Sequence, residues 1–151
     1  NEDNVRLDLI SKNKEGKGMS VENILFNGKE IPYTHVDNVI NIDTRGIVYS
    51  ISDLITVKYE GIPVTGLIIG PNMHGDRTFF SDNWPNKARN WLPLVDHPYD
   101  KSTTDFIVIA PNHYQVISAL KDEVIDLATN VLANSAPEAA FKLVEINKTK
   151  Q

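Results

Sequence analysis

The stretch Val21-Glu22-Asn23-Ile24-Leu25-Phe26-Asn27-Gly28-Lys29-Glu30-Ile31-Pro32-Tyr33-Thr34 decides the fold class. Asn27-Gly28 tolerates positive φ at both central positions of a tight turn, and segments 21–26 and 30–34 on either side are rich in strand-forming residues, so a β-hairpin is predicted. Upstream, Val5-Arg6-Leu7-Asp8-Leu9 alternates apolar and polar residues with period two, as a half-buried strand does, and 12–18 is a polar, glycine-containing turn. Downstream, Asp37-Asn38 separates the hairpin from a strand over 39–42, and a β-branched strand is predicted over 54–59. Glu60-Gly61 is expected to turn the chain, and the nearly continuous apolar run 62–69 reads as a strand buried on both faces that ends at Gly70-Pro71. Short strands at this spacing predict an antiparallel sandwich or barrel.

Residues 71–101 read as a long loop holding both tryptophans, Trp84 and Trp91, and stiffened by Pro85 and Pro93. Loops of this length in a compact domain usually carry function or an interface. A strand is predicted over 104–110, closed by Pro111-Asn112, and another begins at 115–118. The period then changes. Leu120, Val124, Leu127, Ala128, Val131 and Leu132 recur at helical spacing, and Ser135-Ala136-Pro137-Glu138 has the form of an N-cap with Pro in the first turn, opening a second helix through residue 146. The expected fold is mainly β with a C-terminal helical hairpin.

A chain of 151 residues, 41% hydrophobic and 23% charged, suffices for one compact core. Its 15 basic and 20 acidic residues give a net charge of −5, which argues against a nucleic-acid partner; Lys12, Lys14 and Lys17, like Lys142, Lys148 and Lys150, form only short interspersed groups. With no cysteine there is neither a disulfide framework nor a thiolate nucleophile. No apolar run is long enough to span a membrane and no basic segment leads into an apolar signal core, so a soluble chain is expected, with cytoplasmic and exported locations both open. The chain opens at Asn1 rather than Met, as a trimmed or processed product would.

The chemistry-bearing residues form few recognisable constellations. His35, His74, His97 and His113 have no paired metal-ligand spacing, and no serine sits on a G-x-S-x-G elbow. Gly70 and Gly75 fit neither a P-loop nor a dinucleotide loop. No catalytic or metal-ligating residue is therefore assigned; a self-contained metal hydrolase using His74, His97 and His113, which would need stoichiometric zinc, is a further alternative. Asp76, Asp82, Asp96 and Asp100 gather along the loop; paired acids could do proton transfer, but capping and ion pairing with Arg77, Arg89 and Lys101 is the plainer role. Trp84 and Trp91 admit two roles: a packed, interdomain face, or a stacking platform for carbohydrate or peptide in a free-standing β-sandwich module.

The run Gly75-Asp76-Arg77-Thr78-Phe79-Phe80-Ser81-Asp82-Asn83-Trp84-Pro85-Asn86-Lys87-Ala88-Arg89-Asn90-Trp91-Leu92-Pro93-Leu94-Val95-Asp96-His97-Pro98-Tyr99-Asp100-Lys101-Ser102-Thr103 resembles the N-terminal domain of M1-family zinc aminopeptidases. Arg89, Pro93, Asp96, Pro98, Lys101 and Ser118 match that family's motif in order and spacing, and the likeness covers about residues 4–118. It implies a saddle-shaped β-sandwich over residues 1–118, incomplete at its N-terminus, that docks on a separate catalytic domain and shapes its substrate cleft. Zinc is implied for the parent enzyme only, since the family's metal helix has no counterpart here, and no peptide hydrolysis is expected of this chain alone. Counting back from Arg89 places Asp82 and Trp84 where the family grips the free amino group of a peptide N-terminus; Trp84 departs from the family's usual Gln. Arg89 and Asp96 are expected to serve as structural ion pairs or turn caps. Residues 119–151 depart from the family and are expected to form the helical tail. A docking face left uncovered would also let the chain self-associate.

Overall fold

The computed structural model describes residues 3–48, 50, 52–100, 106–110, 113–115 and 144–146. Its strands are β1 (Asn4–Asp8), β2 (Gly18–Phe26), β3 (Lys29–Glu30), β4 (Tyr33–Val36), β5 (Val39–Asp43), β6 (Ile55–Ile62), β7 (Leu67–Pro71), β8 (Arg77–Ser81) and β9 (Val144–Ile146). All pairings between them are antiparallel. The first sheet has the order β1-β5-β4, the second β3-β2-β6-β9, and β7-β8 form a separate ribbon. The described part of the chain is mainly β.

Alternation explains which residues meet in the middle. From the first sheet Leu7, Ile40 and Ile42 point inward, joined by Leu9 just past the end of β1; from the second come Met19, Ile24, Val57 and Tyr59, and these side chains form one buried cluster. Each fully buried aliphatic side chain contributes about 1.5–3 kcal/mol relative to exposure. Strand β6 keeps strict parity, with Ile55, Val57 and Tyr59 inward, but β2 does not: Val21 faces Tyr59, Ile24 faces Val57, and Glu22 is an extra residue between them. This bulge reconciles an odd spacing in the apolar residues of β2 with a regular partner.

The Asn27-Gly28 turn has φ of 48° and 80°, as the hairpin requires. Its second arm differs from the single strand expected over 30–34. Ile31 still donates to the Ile24 carbonyl of β2 (3.0 Å), while the Pro32 carbonyl accepts from the Asp43 N–H (3.0 Å) at the end of β5. Pro32, with no N–H to donate, marks the point where the chain leaves one sheet for the other.

Four further expectations are corrected. Glu60-Gly61 is not a turn but lies within β6; Gly61 stands opposite Met19, and a Cβ there would collide with the Gly18 carbonyl. The run 62–69 is two strands rather than one: Pro63 cannot continue the ladder, residues 63–66 bend, and Ile68 on β7 is 50% exposed. Residues 71–101 are not loop throughout, since β8 returns against β7 through a turn in which Asn72 Oδ1 accepts from the N–H groups of His74 and Asp76. At the other end, 106–110 and Gln115 carry no strand pairing, whereas residues 144–146, expected to close the second helix, pair instead with Ile55–Val57 of β6. The remainder of the expected helical hairpin lies outside the described residues.

Candidate functional site

The segment 82–99 leaves β8 and folds across the end of the first sheet. Its path is set by backbone contacts. Asp82 N–H donates to the Gly66 carbonyl (2.8 Å), and Lys87 N–H to the Asn83 carbonyl (3.0 Å). Gly66 has φ +80°, and a Cβ on it would run into the Lys87 carbonyl, so only glycine fits where the two loops touch. A 3-10 turn follows at Ala88–Asn90, and the buried Asn90 side chain returns a bond to the Lys87 carbonyl (2.9 Å). Tyr59 reaches out of the core to donate its hydroxyl to the Trp91 carbonyl (2.8 Å). Burial raises the Tyr59 phenol well above its ordinary range, so it remains a donor at any physiological pH.

Arg89 and Asp96 form the centre of the segment. Asp96 is only 8% exposed, and its Oδ2 accepts from the Arg89 backbone N–H (3.1 Å) and from Arg89 Nε (3.0 Å), while the Arg89 terminal nitrogen donates to the Asp96 carbonyl (3.0 Å). The same guanidinium lies 3.7 Å from Asp8 Oδ2, which also accepts from the Asp96 N–H (3.3 Å). A buried carboxylate is tolerated only when paired and hydrogen-bonded in this way. The brace extends into main chain: Asp8 and Leu94 exchange backbone bonds of 2.7 and 3.3 Å, and Ile10 N–H donates to the Arg89 carbonyl (2.9 Å). Pro93 is fully buried beneath it, whereas Pro98 is exposed; Lys101 and Ser118 lie outside the described residues.

Asp82 and Trp84 stand at the solvent side of the brace. Asp82 accepts from Lys87 Nζ at 2.6 Å, and this contact is the main reason its carboxyl is held below the usual carboxylate range, so it is ionised at neutral pH. Trp84 is 77% exposed. Trp91 is committed differently: its Nε1–H donates to Asn83 Oδ1 (2.9 Å), its ring stacks on Phe106 at 6.3 Å, and it packs against the core cluster. The two indoles therefore do not make a matched pair of free faces.

Of the histidines, His35 is part of the fold, its Nε2 lying 2.9 Å from the Leu9 carbonyl and 3.2 Å from Ser11 Oγ. His97 packs on Tyr99 and His113 on Tyr114, with ring centroids 4.2 and 4.3 Å apart. His74 sits in the exposed β7-β8 turn. Among the described residues no three His, Cys, Asp or Glu side chains come together to hold a metal ion, so the arrangement expected of a self-contained zinc site is not found there.

Beside the segment, the β7-β8 ribbon has two unlike faces. Leu67, Ile69 and Phe79 are turned toward protein, and Phe79 meets Tyr114 edge-on at 5.5 Å. On the opposite face the cross-strand partners Ile68 and Phe80 are 50% and 62% exposed. Sequence reasoning missed Asp8, Tyr59, Gly66 and Lys87 as parts of this site. Asp8 reads as an ordinary polar position in an alternating strand and Tyr59 as an ordinary inward residue; only the fold brings them to residues 87–96. No protein-family model, curated protein or solved structure matches this chain.

Proposed function

We propose that this chain is the noncatalytic N-terminal β domain of an M1-like zinc aminopeptidase, docking on a separate catalytic domain and forming one wall of its substrate cleft. The observation that carries the proposal is the brace: the half-buried Arg89 joins the buried Pro93 and Asp96, three of the residues that bear the resemblance, in one unit bonded to β1. Asp82, tied to the Gly66 carbonyl through its backbone N–H, and the exposed Trp84 lie on the loop that leads into that unit. In this role the ionised Asp82 carboxylate takes the ammonium of a peptide N-terminus, and the exposed Trp84 ring offers an apolar surface to the first side chain. The apolar face of β7-β8 around Ile68 and Phe80 supplies area for docking, as exposed apolar patches commonly do. A saddle-shaped sandwich is the finer form of the two-sheet core that this role calls for. Zinc, which would supply an activated water, belongs to the catalytic domain of the parent and not to this chain.

The test has two parts. The purified chain is assayed on a panel of amino-acid anilides with its metal content measured on the same sample; chelator-sensitive hydrolysis with stoichiometric zinc overturns the proposal. The chain is then mixed with an aminopeptidase catalytic domain prepared without its own N-terminal domain. It is expected to raise kcat/KM, and Asp82→Asn is expected to undo that gain mainly through KM. No gain at saturating chain rejects the docking role.

A further inference from the structure

Asp82 and Lys87 stand at the two ends of the turn 83–86, and each backbone is fixed without the help of their ion pair. Asp82 N–H is held by Gly66, Lys87 N–H by Asn83, and the Lys87 carbonyl by the side chain of Asn90. Trp84 lies two residues after Asp82 within this turn, with its ring exposed. Main-chain bonds therefore fix both backbones, and the Lys87 ammonium contacts the Asp82 carboxylate directly at 2.6 Å. The Lys87 and Asp82 side chains are 37% and 42% exposed, respectively. A contact this open is weak and easily exchanged.

The occupant matters chemically. A lysine side chain ends in a compact primary ammonium with three donors, and so does a peptide's N-terminus at neutral pH. We propose that Lys87 is an internal occupant of the Asp82 amine site: it holds the carboxylate when no ligand is present and is displaced by a molecule carrying a free primary ammonium next to an apolar side chain, with Trp84 taking the apolar part. Lys87 then sets a threshold, since every ligand must compete with an ammonium tethered five residues away. This rests on Asp82 being the amine anchor proposed above. Removing a competitor as weak as an exposed ion pair should tighten ligand binding roughly two- to fivefold.

The experiment titrates the intact chain with leucinamide and follows backbone amide and indole resonances of residues 82–91, with N-acetyl-leucinamide as the probe that lacks the ammonium. Lys87→Met is expected to bind leucinamide two- to fivefold more tightly than the parent chain, in line with the weakness of the pair it removes. Lys87→Arg, which keeps a cation in reach, should behave like the parent. Lys29→Met, which removes the same charge from β3, should change nothing, and the acetylated probe should bind none of them. Spectra superimposable outside 82–91 show that the variants are folded. If Asp82→Asn abolishes leucinamide binding while Lys87→Met binds as the parent does, the amine site stands and the competing role of Lys87 is rejected. If leucinamide moves no resonance in any variant, or binds Asp82→Asn unchanged, the amine-anchor assignment fails and the inference fails with it.

Discussion

Replacing Arg89 by Met tests the brace directly, because Met keeps most of the apolar stem while removing the guanidinium. The substitution deletes the bonds from Nε to Asp96 Oδ2 and from the terminal nitrogen to the Asp96 carbonyl, together with the 3.7 Å contact to Asp8. Hydrogen bonds to charged groups contribute about 1.5–3 kcal/mol each, which sets an upper bound near 6. Two facts lower it. Asp96 keeps the Arg89 backbone N–H at 3.1 Å, and the Asp8 side chain, 18% exposed, can take up water. A loss of about 2–3 kcal/mol is expected, between the value for an open pair and that for a fully buried one. With a urea slope of about 2 kcal/mol per molar, the midpoint followed by tryptophan fluorescence should fall by roughly 1–1.5 M. The double-mutant cycle with Asp96→Asn should show coupling above about 1 kcal/mol, because the second change removes the carboxylate that the first left exposed to burial. A loss below about 0.5 kcal/mol, or additive single effects, would refute the brace as the element that seats residues 82–98.

Tyr59→Phe leaves the Trp91 carbonyl without its buried donor and should cost about 1 kcal/mol, read as a fall in Tm of roughly 2–4 °C by calorimetry; an unchanged Tm rejects the tie between β6 and the loop. Gly66→Ala combines a positive φ with a collision against the Lys87 carbonyl and should destabilise by at least about 1–2 kcal/mol in chemical denaturation, whereas Gly75→Ala, open to solvent at its Cβ, should cost less. Asp43 is held at about 2 rather than 3.8, chiefly by its side-chain bond to Arg45. Its folded value lies below its unfolded one, so what the pair contributes is complete above the ordinary carboxylate range and fades as pH falls from there through about 2. Carboxyl carbon NMR should show that midpoint and its return toward 3.8 in Arg45→Ala; a midpoint already near 3.8 in the parent chain counts against the pair.

The parts of the fold that were legible in the sequence are those fixed by short-range chemistry. Asn27-Gly28 needs only its own backbone freedom to make a turn, and the alternation of Leu7, Leu9, Ile40 and Ile42 needs only the two-residue period of a strand. Where the outcome depended on a distant partner, the local signal misled. Gly61 next to Glu60 has the composition of a turn, yet it serves β6 because Gly18 and Met19 press against it from β2. The apolar run 62–69 is interrupted by Pro63, which lacks a donor, and by Gly66 at φ +80°, and together they divide it into β6 and β7. Strand β8 is a short stretch amid polar loop residues, and what makes it a strand is β7 alongside.

The candidate site was legible only in its residue types, and the sheet order shows why. In the first sheet β1 is an edge strand, with β5 on one side and a row of main-chain donors and acceptors on the other. Such an edge must be covered or it pairs with another chain. The segment 89–96 carries Pro93 and ends before Pro98, so it cannot add a full strand; it shares instead two backbone bonds between Leu94 and Asp8, and its Arg89 carbonyl accepts one from the Ile10 N–H. Asp8, outward-facing in β1, lies at that edge, where its carboxylate meets the guanidinium that also satisfies Asp96. The motif residues are thus explained first by edge closure, which any chain with this topology requires. What edge closure leaves over is an ionised carboxylate at Asp82 and a bare indole at Trp84, neither needed to seal the sheet, and those two side chains are where a function for the segment has to be sought.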